Sequence, residues 1–258
     1  MYGKLLKRFI SQSISRFLIY RSTSVLVILF GSLFTLTEIV ITFVYFNYTD
    51  VIAGYTKYEF LLLIATFAMI GTLYEILFIN SHENLSDKII NGELDYDFIR
   101  PVDSQFFNNL NEIEIPSIIN LVLPIMMLII CLNKIHVSSI LCVLLYLIFV
   151  FIGTYLYYLL NQFFVSLSFW VERPGKLLGV PEYMFEMANK PRMIFPRILQ
   201  VIFAWIIPII SATNIPLEII TGNIETIDII IYLAILTLFS ISVRVQWKLG
   251  LKRYVSAN

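Results

Sequence analysis

Apolar residues fall along the 258-residue chain in runs long enough to cross a lipid bilayer, separated by short polar stretches. A bilayer core takes about 20 apolar helical residues. Six runs qualify: 24–46, broken only by Thr35, Thr37, Glu38 and Thr42; 58–80; 115–132; 138–171, which is long enough to project beyond the membrane; 194–212; and 227–247. Ahead of them, residues 1–21 place Leu5, Leu6, Phe9, Ile10, Ile14, Phe17 and Leu18 at helical spacing, with Lys, Arg, Ser and Gln on most of the remaining surface. That pattern predicts an amphipathic helix lying in the membrane interface rather than a solvated leader. Between the last two runs, "IIPIISATNIPLEIITGNIET" (206–226) is apolar but interrupted by Pro208, Pro216 and Gly222. Broken backbone cannot face lipid, where its unpaired groups find no water. The segment therefore predicts a short re-entrant helix pair docked on protein at the outer face, in preference to an ordinary outer loop.

Composition agrees with the pattern. The chain is 59% hydrophobic and 14% charged, with mean hydropathy +0.83, against about 25% charged residues in soluble domains. The expected class is an all-α polytopic membrane protein forming one transmembrane domain over residues 1–258. Eighteen basic and eighteen acidic residues cancel, so bulk charge gives no argument for nucleic acid. The basic residues are unevenly placed. Five precede the first span (Lys4, Lys7, Arg8, Arg16, Arg21), two lie between spans two and three (Lys88, Arg100), five between four and five (Arg173, Lys176, Lys190, Arg192, Arg197), and four at the C-terminal end (Arg244, Lys248, Lys252, Arg253). Only Lys57 and Lys134 remain for the other side. Cytoplasmic loops carry the excess of Lys and Arg, so six spans with both termini in the cytoplasm fit the count. The N-terminal basic stretch is too long, and lacks the small-residue cleavage site, for a signal peptide.

The candidate chemistry is sparse. "RPGKLLG" (173–179) lacks the glycine spacing and the following Ser or Thr of a phosphate-binding loop, so no nucleotide hydrolysis by that route is expected on this chain. His82 and His136 fall on opposite sides of the membrane by this topology and cannot share a metal. Cys131 and Cys142 read as packing residues. The polar island "NGELDYDFIRPVD" (91–103) gathers Glu93, Asp95, Asp97 and Asp103. An intramembrane prenyl-transferring enzyme would use such acids to hold magnesium against a diphosphate. At a spacing of two, however, they spread around a helix axis by about 200° per step, and no second acidic motif exists. A charged loop without special role is the other alternative. Inside the first span, Thr35, Glu38 and Thr42 share one helix face, and an intramembrane carboxylate marks a functional candidate by default. A translocation path, a protonated structural Glu and a charge near the outer interface all remain open for it.

Three pieces occur together in one family: "GELDYDFIRPVD" after the second span, "FPRILQVIFAWIIPIISATNIPLEIITG" across the fifth, and "WKLGLKRYVSAN" at the C-terminus. On these, the chain resembles the six-span permease subunits of ABC type-2 transporters, in the group whose second cytoplasmic loop reads G-E-L-D-x-x-L-x-R-P, with Phe98 at the apolar position. Ser168–Trp170 and Gly250–Ala257 also match. The resemblance implies a pair of permeases, either two copies or this chain with a sister permease. It implies a dimer of cytosolic ABC ATPase subunits docked below, with ATP and magnesium held there and no cofactor on this chain. A multi-pass protein of the plasma membrane is expected, exporting a hydrophobic or amphipathic substrate. A non-transporting membrane anchor or sensor for an ATPase is the alternative. A short coupling helix is implied within 91–103. There the residues suit it: Gly92 breaks the preceding segment, Glu93, Asp95 and Asp97 suit a helix N-terminus, Leu94, Phe98 and Ile99 form an apolar stripe, and Arg100-Pro101 ends the element.

Overall fold

The computed structural model describes residues 2–98, 101–135, 137, 139–171 and 174–254, without the side chains of Tyr2, Tyr96 and Phe98. Among the described residues it is a helical bundle with one hairpin of two-residue strands. Helix α1 (Tyr2–Ile19) leads into α2 (Arg21–Tyr45). Strands β1 (Val51–Ile52) and β2 (Tyr55–Thr56) pair antiparallel, Val51 opposite Thr56 and Ile52 opposite Tyr55. Ala53 and Gly54 both take positive φ between them, the tight-turn geometry whose twist matches a hairpin. Thr56 then caps α3 (Lys57–Ile90), with Glu59 reaching back to the Thr56 N–H at 2.7 Å, a reciprocal capping box.

Helix α3 carries a π-helical turn at Glu75–Ile79, and the extra residue frees the carbonyl of Ile76 to accept from the Glu114 N–H at 2.9 Å. The helix runs about ten residues beyond the expected 58–80 and ends at Gly92, whose φ of 72° lets the Glu93 N–H fold back onto the Lys88 carbonyl as a left-handed helix stop. Two short helices follow, α4 (Asp95–Phe98) and α5 (Ser104–Leu110), then α6 (Ser117–Lys134) and α7 (Ile140–Phe169). Helices α8 (Gly175–Leu178) and α9 (Val180–Glu186) lead to α10 (Arg197–Ile206) and α11 (Ser211–Thr221). Helix α12 (Thr226–Arg253) completes the chain.

Five of these helices, α2, α3, α6, α7 and α12, are long and apolar enough to cross a membrane, and the pair α10–α11 meets the same criteria but is bent by 92°. The main core packs α3, α6, α7 and α11 around Leu62, Leu63, Ile70, Tyr146 and Leu217. Helix α2 is the outlier: Ser24 and Thr42 are its buried residues, and Phe30, Phe34 and Val40 stand exposed.

The expected fifth span is the main difference from the sequence reading. Residues 194–212 do not form a through helix. Arg192 lies 3.2 Å from Glu218 and 3.8 Å from Asp228, at the distal end of the bundle where the hairpin lies. Burial pushes the Tyr55 hydroxyl up to about 12, with Glu218 adding to the shift and Arg192 opposing it, which puts the hairpin and the Arg192 cluster side by side. At the basal end, Phe169 packs on Trp247. Asp228 and Trp247 are roughly 28 Å apart along one continuous helix at 1.5 Å per residue. The chain therefore crosses the bundle between residues 170 and 192, in short pieces. Leu178 packs in the basal cluster, Phe185 stacks on Tyr157 and Phe67 at ring separations of 4.0 and 4.6 Å, and Thr213 donates to the Ala188 carbonyl at 2.6 Å. The bent pair α10–α11 begins and ends within about 17 Å of this distal cluster, the reach of five extended residues, so it enters and leaves at the same end.

This corrects the basic-residue count, which put Arg192 on the same side as the 91–103 loop. The apolar length of 194–212 reads as a span, but Glu218 and Asp228 hold Arg192 at the other end.

The polar residues of α11 serve the broken backbone. Asn214 accepts from the Arg192 N–H at 2.9 Å and donates to the carbonyls of Lys190 and Ile210, and Ser211 donates to Ala204. Pro216, inside the helix, leaves the Ala212 carbonyl without its i+4 donor. At that carbonyl α7 presents Gly153, where a Cβ would sit 2.9 Å from the oxygen.

Candidate functional site

The 91–103 island lies at the basal end and is tied at three points to α12 and to Tyr254 just beyond it. At its start the Leu94 N–H donates to the Tyr254 hydroxyl at 3.0 Å. At its end Arg244 forks onto Asp103, reaching Oδ2 closely and Oδ1 at 3.1 Å, and donates to Gln105 at 2.7 Å. Between them Trp247, almost fully buried, packs with Leu94, Leu85 and Phe169 and donates its indole N–H to Ser104 at 3.3 Å. Gly250 permits this approach: a Cβ there would lie 2.2 Å from the Phe169 ring.

The sequence-derived candidates separate in this setting. Within 91–103, where a short coupling helix is expected, the described residues form one helical turn, α4, and α5 begins beyond Pro101. Asp103 starts α5 by accepting from the Phe106 N–H at 3.0 Å. Leu94 is fully buried against α12, so it anchors the loop and cannot form an outward contact stripe. Asp97 is also buried, Asp95 half-buried, and Glu93 and Pro101 are exposed. The Phe98 side chain, Ile99 and Arg100 lie outside the described residues. In α2, Thr42 is buried and donates to the Glu38 carbonyl at 2.8 Å, and Thr35 donates to Gly31. Glu38 itself is half-buried.

Partial burial works to raise the Asp103 carboxyl, but Arg244 and the Phe106 N–H outweigh it and hold the group below the usual carboxylate range. A depressed folded value stabilises above the ordinary carboxylate range and is lost as pH falls through the folded value. Amide protection in α5, corrected for the intrinsic slowing of exchange in acid, is therefore expected to fall at acid pH in the wild type. In Asp103→Asn this added acid sensitivity should be absent. The pair is more than one-third exposed, so the effect is modest.

Two arrangements were not legible in the sequence reading. One is the distal triad Arg192–Glu218–Asp228. The signal for it was Glu218 within the apolar "IPLEII", an acid that needs a cation. The other is a buried chain beneath the loop: the Tyr74 hydroxyl donates to His82 Nδ1 at 3.0 Å, the His82 Nε2–H donates to Gln162 at 3.1 Å, and Gln162 donates to Ser166 at 2.9 Å. Asn109 of α5 donates to Tyr158 at 2.7 Å beside it, and the Tyr158 and His82 rings stack. No group of three or more His, Cys, Asp or Glu side chains that could hold a metal ion occurs among the described residues.

A helical bundle with five bilayer-length apolar helices and a sharply bent sixth apolar segment defines a multi-pass membrane protein. The ABC-2 family transporter protein model matches residues 32–258, and the chain belongs to that family: it is a membrane permease of an ABC transporter, whose partner is an ATP-binding subunit. No curated protein and no solved structure matches the chain.

Proposed function

We propose that the chain is the permease of an ATP-driven exporter in the plasma membrane. In this reading the basal end faces the cytoplasm, two permeases, identical or sister, form the channel, and a separate ATPase dimer holds ATP and magnesium and pushes on residues 91–103. The observation that carries it is the triple attachment of that loop to the C-terminal end of α12 and the residue after it, through Trp247 packed on Leu94, Arg244 on Asp103 and Tyr254 on the Leu94 N–H. A force on the loop then reaches a helix of about 42 Å whose far end holds Asp228 in the distal triad. Rigid-body tilting of such an element is a known route for switching access. The exposed apolar length of α2 supports a second permease against it. Its Thr35–Glu38–Thr42 face supports a substrate path, and the apolar spans an amphipathic or hydrophobic cargo.

The test is ATP turnover and vesicle efflux with the cognate ATPase, comparing wild type with Glu93→Arg/Pro101→Asp, both exposed positions. Loss of permease-stimulated turnover with unchanged unfolding temperature is expected. Full turnover and efflux in the variant would remove the loop from the coupling role. Stimulated turnover with no cargo movement in the wild type would instead favour a membrane anchor or sensor.

A further inference from the structure

Helix α1 has three distinct faces. Phe9 and Ser13 turn inward: Phe9 meets Phe107 edge-on at 5.4 Å, and Ser13 accepts from the Ile113 N–H at 3.0 Å. Ile10, Ile14 and Leu18, one helical turn apart, form an exposed apolar strip at 44–54% accessibility. Lys4, Lys7 and Arg8 are exposed alongside it. Residues 1–21 contain no Asp or Glu. Arg16 is matched by Glu112 at 2.7 Å, and Glu112 lies on the segment that follows α5. The helix thus offers apolar side chains for the acyl boundary and, beside them, three cations with no carboxylate on their own element.

We propose that α1 binds anionic phospholipid at the basal membrane surface and selects it over neutral lipid. The charge complementarity is direct. Basic residues held at a bilayer surface each gain attraction from anionic headgroups that decays within a Debye length. The apolar strip fixes the depth at which the cations sit. An acidic protein surface would not require Ile10, Ile14 and Leu18 to be left exposed on the same helix. Since Phe9, Ser13 and Arg16 fasten α1 to the α5 segment, bound lipid would stiffen the floor of the 91–103 loop. That regulatory consequence rests on the reading of the loop as the drive, whereas the binding itself does not.

The experiment uses the full chain in nanodiscs of phosphatidylcholine, with or without phosphatidylglycerol, and reads amide exchange of residues 2–19. Exchange is expected to slow about thirtyfold in the anionic discs, the scale set by two basic residues at such a surface. The slowing should vanish at about 1 M salt, where the Debye length is about 3 Å, and in Lys4→Gln/Lys7→Gln/Arg8→Gln, with α12 protection unchanged. Equal protection in both lipids, or retention of the difference in the triple variant, would overturn the proposal. So would loss of protection by the triple variant in neutral discs, which would make the cations structural. Inorganic phosphate reproducing the effect in neutral discs would reassign the site to a soluble anion. None of these outcomes depends on ATP turnover, so failure here is distinguishable from failure of the exporter reading.

Discussion

Arg192→Met is expected to destabilise the purified protein by about 3–5 kcal/mol, the cost of removing one partner from a buried ion pair. The side chains of Glu218 and Asp228 are only 5% and 18% exposed, and Arg192 is 23% exposed, so solvent screens the group little. Without the guanidinium, two carboxylates from different elements face each other, and a second oxygen of Glu218 already lacks a hydrogen-bond partner. Arg192→Lys should recover only part of the loss, because a single ammonium cannot serve both carboxylates with the planar fork of arginine. Arg192→Met/Glu218→Met should be more stable than Arg192→Met alone, since it removes the stranded charge. Thermal unfolding in detergent measures all three. A wild-type unfolding temperature in Arg192→Met would show that the triad does not hold the re-entrant segment.

Trp247→Ala is the second large effect, at about 3–5 kcal/mol for truncating a buried aromatic. Its local signature matters more than its size. Trp247 joins Leu94, Leu85 and Phe169 in a cluster separate from the main core, so its loss should free the 91–110 region before the bundle opens. Limited proteolysis is expected to cut within 91–103 in Trp247→Ala under conditions that spare the wild type, and Trp247→Phe, which keeps a ring against Phe169, should be intermediate. Uniform loss of protection over the whole chain, with no early cut in that region, would show the cluster to be part of one cooperative core.

Much of this architecture was legible in the sequence because lipid imposes a strict length rule on apolar runs. The helices over Arg21–Tyr45, Ser117–Lys134, Ile140–Phe169 and Thr226–Arg253 fall close to their expected bounds. The amphipathic spacing of residues 1–21 likewise yields α1. The failures share a cause. Periodicity reports that a residue is apolar but not which solvent or side chain covers it. Leu94 looks like a contact residue until Trp247, far along the chain, is found against it. Arg192 looks like an interfacial cation until Glu218 and Asp228 are brought to it by the fold. In the same way Phe185, in a stretch with Glu182, Glu186 and Lys190 nearby, gives no hint that it stacks between Tyr157 and Phe67 in the middle of the bundle.

The fragmented passage between residues 170 and 192 has a consequence for how the protein is made. Lys176, Glu182, Glu186 and Lys190 lie in it, and each charge at the centre of an inserting helix costs about 2.5–3.5 kcal/mol on translocon scales. The translocon will not release such a segment into lipid as an independent helix. It can occupy the bilayer only after α3, α7 and α11 have formed the protein cavity that receives Phe185 and Ala188. Final topology in this chain is therefore completed by tertiary assembly after membrane insertion, and a substitution at Phe185 or Gly153 would act as a biogenesis defect in a protein whose long helices had all inserted normally.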